Sequence, residues 1–257
     1  MNLDIGPILD GWEYHLGEIS ARKITGMDGK DKVQLRLDMG ILQMECEGRP
    51  DGRTPHGKAS LLDYYQTLAG QRERESGAGA FALTPEDCIG LQLESVQYYH
   101  RRIAFFELKE YERAKRDAEH NLQILDLVKK YASDPRYGLA LEQYRPLVLA
   151  HRIRAESSIS LRDGRIDEAL KRIENGIQEI EDYLKSCEDA AVAEGASEIE
   201  FLKKWAEEIK QGRPRSPGDR LRSELQSAVQ REDFERAAEL RDMIQAYEAR
   251  KRRRGAV

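Results

Sequence analysis

Residues 84–132, TPEDCIGLQLESVQYYHRRIAFFELKEYERAKRDAEHNLQILDLVKKYA, decide the fold. Thr84 can cap a helix, Pro85 fits its first turn, and Glu86 and Asp87 suit the positive end of the helix dipole. The helix opened there is expected to reach about Leu108. Tyr98-Tyr99, Phe105-Phe106 and Tyr111 lie at helical spacings and read as core rather than as a base-stacking platform. A second helix is expected from about Tyr111 to Ala132, where Asp134-Pro135 stops it.

Outward toward the C-terminus, a third helix is expected from Tyr137 to Arg162. Pro146 inside it must either kink it or mark its true start. Asp163-Gly164 breaks the chain, and a fourth helix should run from Ile166 to about Lys185. Ser197-Glu198-Ile199-Glu200 has the form of a capping box and is expected to open another, to about Lys210. Gln211–Gly218, with its Gly, Pro and Arg residues, reads as a linker. Outward toward the N-terminus, Leu61, Leu62, Tyr65 and Leu68 give a helix over residues 59–74, broken by the GAGA at 77–80. The stretch GRPDGRTPHG at 48–57 must be an irregular loop. Before it, Val33, Leu35, Leu37 and Met39 alternate with Gln34, Arg36 and Asp38, a period of two. With Asp28-Gly29 able to supply positive φ angles, residues 17–38 read as a β-hairpin with one buried face. Residues 41–45 fit a continuing strand or a helical turn equally well.

Tyr111-Glu112-Arg113-Ala114 and Ile166-Asp167-Glu168-Ala169 repeat one pattern at the start of a helix, and Phe234-Glu235-Arg236-Ala237 repeats it again. In the first two, Ala118 and Asn121, then Ile173 and Gly176, follow four and seven positions after the Ala. Small residues there would let antiparallel helices approach closely. This resembles the second helix of a tetratricopeptide (TPR) unit over about residues 86–185. The offset between Ala114 and Ala169 is 55 residues, however, longer than the family's repeat. An ordinary antiparallel helix bundle is the other reading of the same pattern.

Residues 220–245 read RLRSELQSAVQREDFERAAELRDMIQ. Leu221, Leu225 and Ala228 make one stripe, Gln230–Asp233 turns the chain, and Phe234, Ala237, Ala238, Arg241 and Ile244 make a facing stripe. With Glu-Asp-Phe-Glu and Ala-Ala-x-Leu-Arg-Asp together, the run through Leu240 and Ile244 closely resembles the UVR motif. That motif occurs in UvrB, UvrC, the adaptor McsA and the ClpC unfoldase. The resemblance implies a helical hairpin that pairs with another hairpin or with a protein partner. It implies neither nuclease nor helicase activity. A two-helix hairpin buries little area, so it should need a second surface to be stable.

The expected fold class is therefore mainly α: antiparallel TPR-like hairpins, a small N-terminal β-hairpin region and a C-terminal UVR hairpin. The expected regions are 1–58, 59–212 and 213–257. Composition agrees, with 257 residues, 40% hydrophobic, 35% charged and 7% aromatic. The net charge of -5 divides unevenly, as a mildly basic segment from Arg213 onward follows an acidic body. Cys46, Cys88 and Cys187 are scattered, so neither a disulfide framework nor a zinc ribbon is expected. The start MNLDIGPILDGWEY lacks the basic and apolar regions of a signal peptide, and no apolar run is long enough to span a bilayer. The cytoplasm is the expected compartment.

Sites of chemistry are sparse. His100, His120 and His151 lie on helices without ligand spacing, so no metal and no cofactor are expected. Glu119-His120 reads as a surface pair, and His56 as part of a structural loop. No phosphate-binding P-loop, Ser–His–Asp or Cys–His arrangement occurs. The leading expectation is a non-catalytic scaffold or adaptor that docks a protein through Leu221, Leu225, Ala228, Phe234, Ala237, Ala238, Leu240, Arg241 and Ile244. Its partner would be another UVR-containing protein or a second copy of itself. The alternative, resting on the resemblance to the repair proteins, is a nucleic-acid-associated accessory protein linked to DNA repair, using Arg22, Lys23, Lys30, Lys32 and Arg36, with Arg252 and Arg253 of the Arg250–Arg254 run. An enzyme built on the 48–57 loop is the weakest reading.

Overall fold

The structure, a computed structural model, describes residues 4–187 and 190–212, together with Leu225, Leu240, Arg241, Met243 and Ile244. It is mainly helical, with one small sheet among the described residues. A short α1 (Gly6–Leu9) precedes β1 (Ala21–Thr25), β2 (Asp31–Leu37) and β3 (Gly40–Glu45), an antiparallel sheet in the order β1-β2-β3. The β1–β2 turn falls at Gly26–Lys30, closed by Gly26 N–H on the Lys30 carbonyl at 2.7 Å, with Gly29 at φ 74°. Residues 40–45, open between strand and helical turn in the sequence, pair with β2 in the register Val33↔Met44 and Leu35↔Leu42. The alternation holds only in part. Val33 and Leu35 are buried, but Leu37 and Met39 are exposed, because the chain already turns at Asp38-Met39.

Helices α2 (Leu61–Ser76), α3 (Pro85–Glu107), α4 (Tyr111–Tyr131), α5 (Pro135–Glu142), α6 (Arg145–Arg162), α7 (Ile166–Lys185) and α8 (Ala190–Gly212) follow. Their starts are chemically marked. Ser60 accepts from Asp63 N–H, Thr84 and Asp87 close a reciprocal capping box, and Asp134 accepts from Arg136 N–H. Pro146 marks a true start: the expected third helix is two, α5 and α6, with the proline in the first turn of α6. One expected start is wrong. Ser197 lies inside α8, which begins at Ala190 and runs through the presumed capping box.

The 55-residue repeat appears in the turns as well as in the helices. Lys109 (φ 58°) ends α3 and Gly164 (φ 75°) ends α6, both left-handed. The same hydrogen bonds close both turns. Glu110 N–H reaches the Phe105 carbonyl and Arg165 N–H the Ser160 carbonyl, each at 2.8 Å, a Schellman-type closure. Ala114 and Ala118, like Ala169 and Ile173, are fully buried. At Gly176 a side chain would collide with Ile153, so close approach of α7 to α6 requires glycine there. The hairpins α3–α4 and α6–α7 are thus built alike.

The sheet and helices share one core. Val33, Leu35, Met44 and Cys46 pack with Ala104 and Phe105 of α3, Ala114 of α4 and Ala155 of α6. The chain divides into two compact units, Met1–Glu207 and Glu208–Val257.

Candidate functional site

Of the predicted docking residues, the structure describes four. Leu225, Leu240, Arg241 and Ile244 are all helical. Leu240 is buried and Leu225 and Ile244 half-buried, whereas Arg241 and the neighbouring Met243 are exposed. Leu240 and Ile244, four apart, therefore share an inner face. Leu221, Ala228, Phe234, Ala237 and Ala238 lie outside the described residues, as do Arg252 and Arg253.

Four of the N-terminal cations proposed for nucleic acid, Arg22, Lys23, Lys32 and Arg36, are used within the fold, whereas Lys30 is exposed in the β1–β2 turn. Arg22 donates to Gln34 Oε1 at 2.7 Å and to the Ile8 carbonyl at 3.0 Å, with its guanidinium 4.1 Å from the centre of the Trp12 ring. Lys23 pairs with Glu110, and Lys32 with Asp28 and Glu45. Arg36 donates to the carbonyls of Trp12, Asp38 and Gly40. These contacts tie α1, the sheet and its turns together.

The 48–57 loop borders an open cavity of about 880 Å³ lined by charges of both signs, among them Asp31, Glu47, Arg49, Arg53 and Arg113. The loop is fastened from several sides. Arg101 Nη1 donates to the Gly48 carbonyl at 2.7 Å, and Asp51 accepts from Gln97 at 3.3 Å. His56 (φ 51°) stacks on Tyr64 with 4.0 Å between ring centres. Cys46, at the cavity's edge, is buried, and that burial pushes its thiol up, away from the reactive thiolate.

Sequence reasoning missed a buried polar network on α3 and α4. Arg101 makes a two-pronged ion pair with Asp117 at 2.8 and 2.7 Å, and both side chains are sealed from solvent. Its Nη1 donates to the Glu45 and Gly48 carbonyls, so four of its five N–H donors are engaged. Glu94, also fully buried, accepts Leu61 N–H at 2.8 Å and Leu62 N–H at 3.1 Å, the first amides of α2. His120 approaches the same carboxylate at 3.1 Å and stacks on Tyr98 at 3.6 Å, so it is not the surface residue expected. Burial pushes the Glu94 carboxyl up, but the hydrogen bonds from His120, Leu61 and Leu62 outweigh it and hold the group below its ordinary range. The signal available in the sequence was the spacing Tyr98, Arg101, Phe105, which puts a charge on an apolar stripe. Arg102 is the exception in this network. It is fully buried, yet none of its three guanidinium nitrogens has a partner.

Among the described residues no group of three or more His, Cys, Asp or Glu side chains could hold a metal ion, and no helix is long and apolar enough to cross a membrane. The UVR family model, the UvrB/uvrC motif, matches residues 219–250. No curated protein and no solved structure shows significant similarity to the chain.

Proposed function

We propose that this chain is a non-catalytic interaction protein of the cytoplasm that docks a protein partner through its C-terminal UVR-type hairpin. The observation that carries the reading is the UVR match over residues 219–250, which covers the whole predicted docking set. The helical placement of Leu225, Leu240 and Ile244, with Leu240 inside, is the arrangement such a hairpin needs. A hairpin of this size gains stability from a second surface, and a like hairpin offers one of matching shape. The partner is accordingly another UVR-containing protein or a second copy of this chain. The helical body, built of two like hairpins in TPR-like manner, is the scaffold that carries it. The test is affinity capture and solution mass with the full chain, with a version ending at Gly212 and with Leu225→Asp. Both variants should lose self-association and the partner band. Retention of both by either variant would sink the reading.

A further inference from the structure

A cavity of about 340 Å³ opens among α3, α4, α5 and the start of α6. Its walls are mostly apolar, with Tyr99 from α3, Leu141 from α5 and Val148 from α6. Val96 and Tyr144 also line it and, at 45% and 43% exposure, mark its open side. Two polar groups in the lining lack partners. Asn121 donates its amide to the Ser95 carbonyl at 3.1 Å, which fixes the side chain's orientation and leaves Oδ1 buried with no donor. Arg102 is the second. The centre of the Tyr99 ring, 5.6 Å from the guanidinium carbon, gives it only partial compensation. Asp117, the acid whose charge acts on it, is already held by both prongs of Arg101.

Burial lowers the Arg102 pKa, but only to about 10, so the group stays charged at neutral pH. His151 supplies no second cation, because burial first and the Arg102 charge next keep it neutral. Buried polar groups in folded proteins are paired, and an unpaired buried charge is the costliest exception. A lone guanidinium at the wall of an apolar pocket suits a monoanion presenting two coplanar oxygens, as a carboxylate does.

We propose that this cavity binds a small carboxylic acid: its carboxylate on Arg102, an N–H or O–H of the ligand on Asn121 Oδ1, and an apolar body against Tyr99, Leu141 and Val148. At about 30 Å³ for each water-sized group, the space takes roughly ten non-hydrogen atoms. The site belongs to the helical body and does not depend on the reading of the C-terminal hairpin.

The test is calorimetric titration of the full chain with N-acetyl-leucine and octanoate, against the neutral comparators N-acetyl-leucinamide and octan-1-ol. The acids should bind at least about ten-fold more tightly than their neutral counterparts. Arg102→Leu, which replaces an unpaired buried charge with an apolar group, should reduce acid binding to the level of the neutral compounds. Val96→Trp leaves Arg102 in place and fills the open side, and it should lose acids and neutral compounds together. Equal affinity for acid and amide overturns the proposal. So does unchanged acid binding in either variant, or no binding of either acid at about millimolar concentration.

Discussion

His151 sits between the rings of Tyr99 and Phe106, 6.3 and 5.5 Å away, with its Nδ1 unpartnered. Burial and the charges of Arg102 and Arg154 depress its pKa from the ordinary 6.5 to about 3. In that window the unfolded chain takes up a proton that the folded chain refuses. Stability is therefore full above about pH 6.5 and declines as pH falls toward 3, by at most about 1.4 kcal/mol per unit. His100, also depressed by burial, adds in the same sense. His151→Phe keeps a ring of similar shape and removes the titration. Denaturant unfolding between pH 6.5 and about 5.5, above most carboxylate titration, should show a flatter profile in this variant than in the wild type. Identical slopes would mean that His151 is not buried neutral. At the same scale, Asp117→Ala strands the Arg101 charge in the core. It should cost about 3–5 kcal/mol, the loss seen when one member of a buried pair is removed. A loss below about 1 kcal/mol would show water reaching Arg101.

At the scale of the element, the two like turns differ in one telling way. Gly164 takes its left-handed conformation freely, while Lys109 at φ 58° does so against the clash of its Cβ with the backbone. Lys109→Gly should therefore stabilise the protein by about 0.5–1 kcal/mol, even though glycine enlarges the unfolded ensemble. A lowered Tm would show that the lysine side chain holds the turn by contacts of its own. Much of the helical layout was legible because local chemistry marks it. The Thr84–Asp87 box, Asp134 before Pro135 and Gly164 all act within a few residues of the boundary they set. The misreading at Ser197 has the same origin. Ser-x-x-Glu caps a helix only if the chain before it is not already helical, and Ala190–Gly195 is. β3 was undecidable because its pairing with β2, not its own composition, makes it a strand.

For the whole molecule, what the sequence could not disclose is which charges would be drawn inward. Apart from the place of Arg101 on the Tyr98–Phe105 stripe, nothing sets Arg101, Asp117 and Glu94 apart from other residues of charged helices until α3 and α4 are laid side by side. The same holds for Arg22, Lys23, Lys32 and Arg36, which form a basic strip on paper and internal ties in the fold. With these four engaged, binding of the full chain to DNA or RNA should be weak, salt-sensitive and indifferent to sequence. Dissociation constants at physiological salt should be on the order of 10⁻⁴–10⁻⁶ M. Tight, sequence-selective binding in a fluorescence-anisotropy titration would favour the accessory role in nucleic-acid transactions over protein docking.

Helix α4 is the hub of the body, packed against α2, α3, α5 and α6, whereas α7 packs on α6 and meets α8 through the Glu181–Lys203 ion pair. Such an arrangement opens in stages instead of all at once. Amide protons of α7 should trade with deuterium through partial openings that leave α4 untouched, and those of α4 only when the whole unit comes apart. A hydrogen-exchange map would then show protection rising inward from α7 to α4, so that the body can loosen at one side while its centre holds.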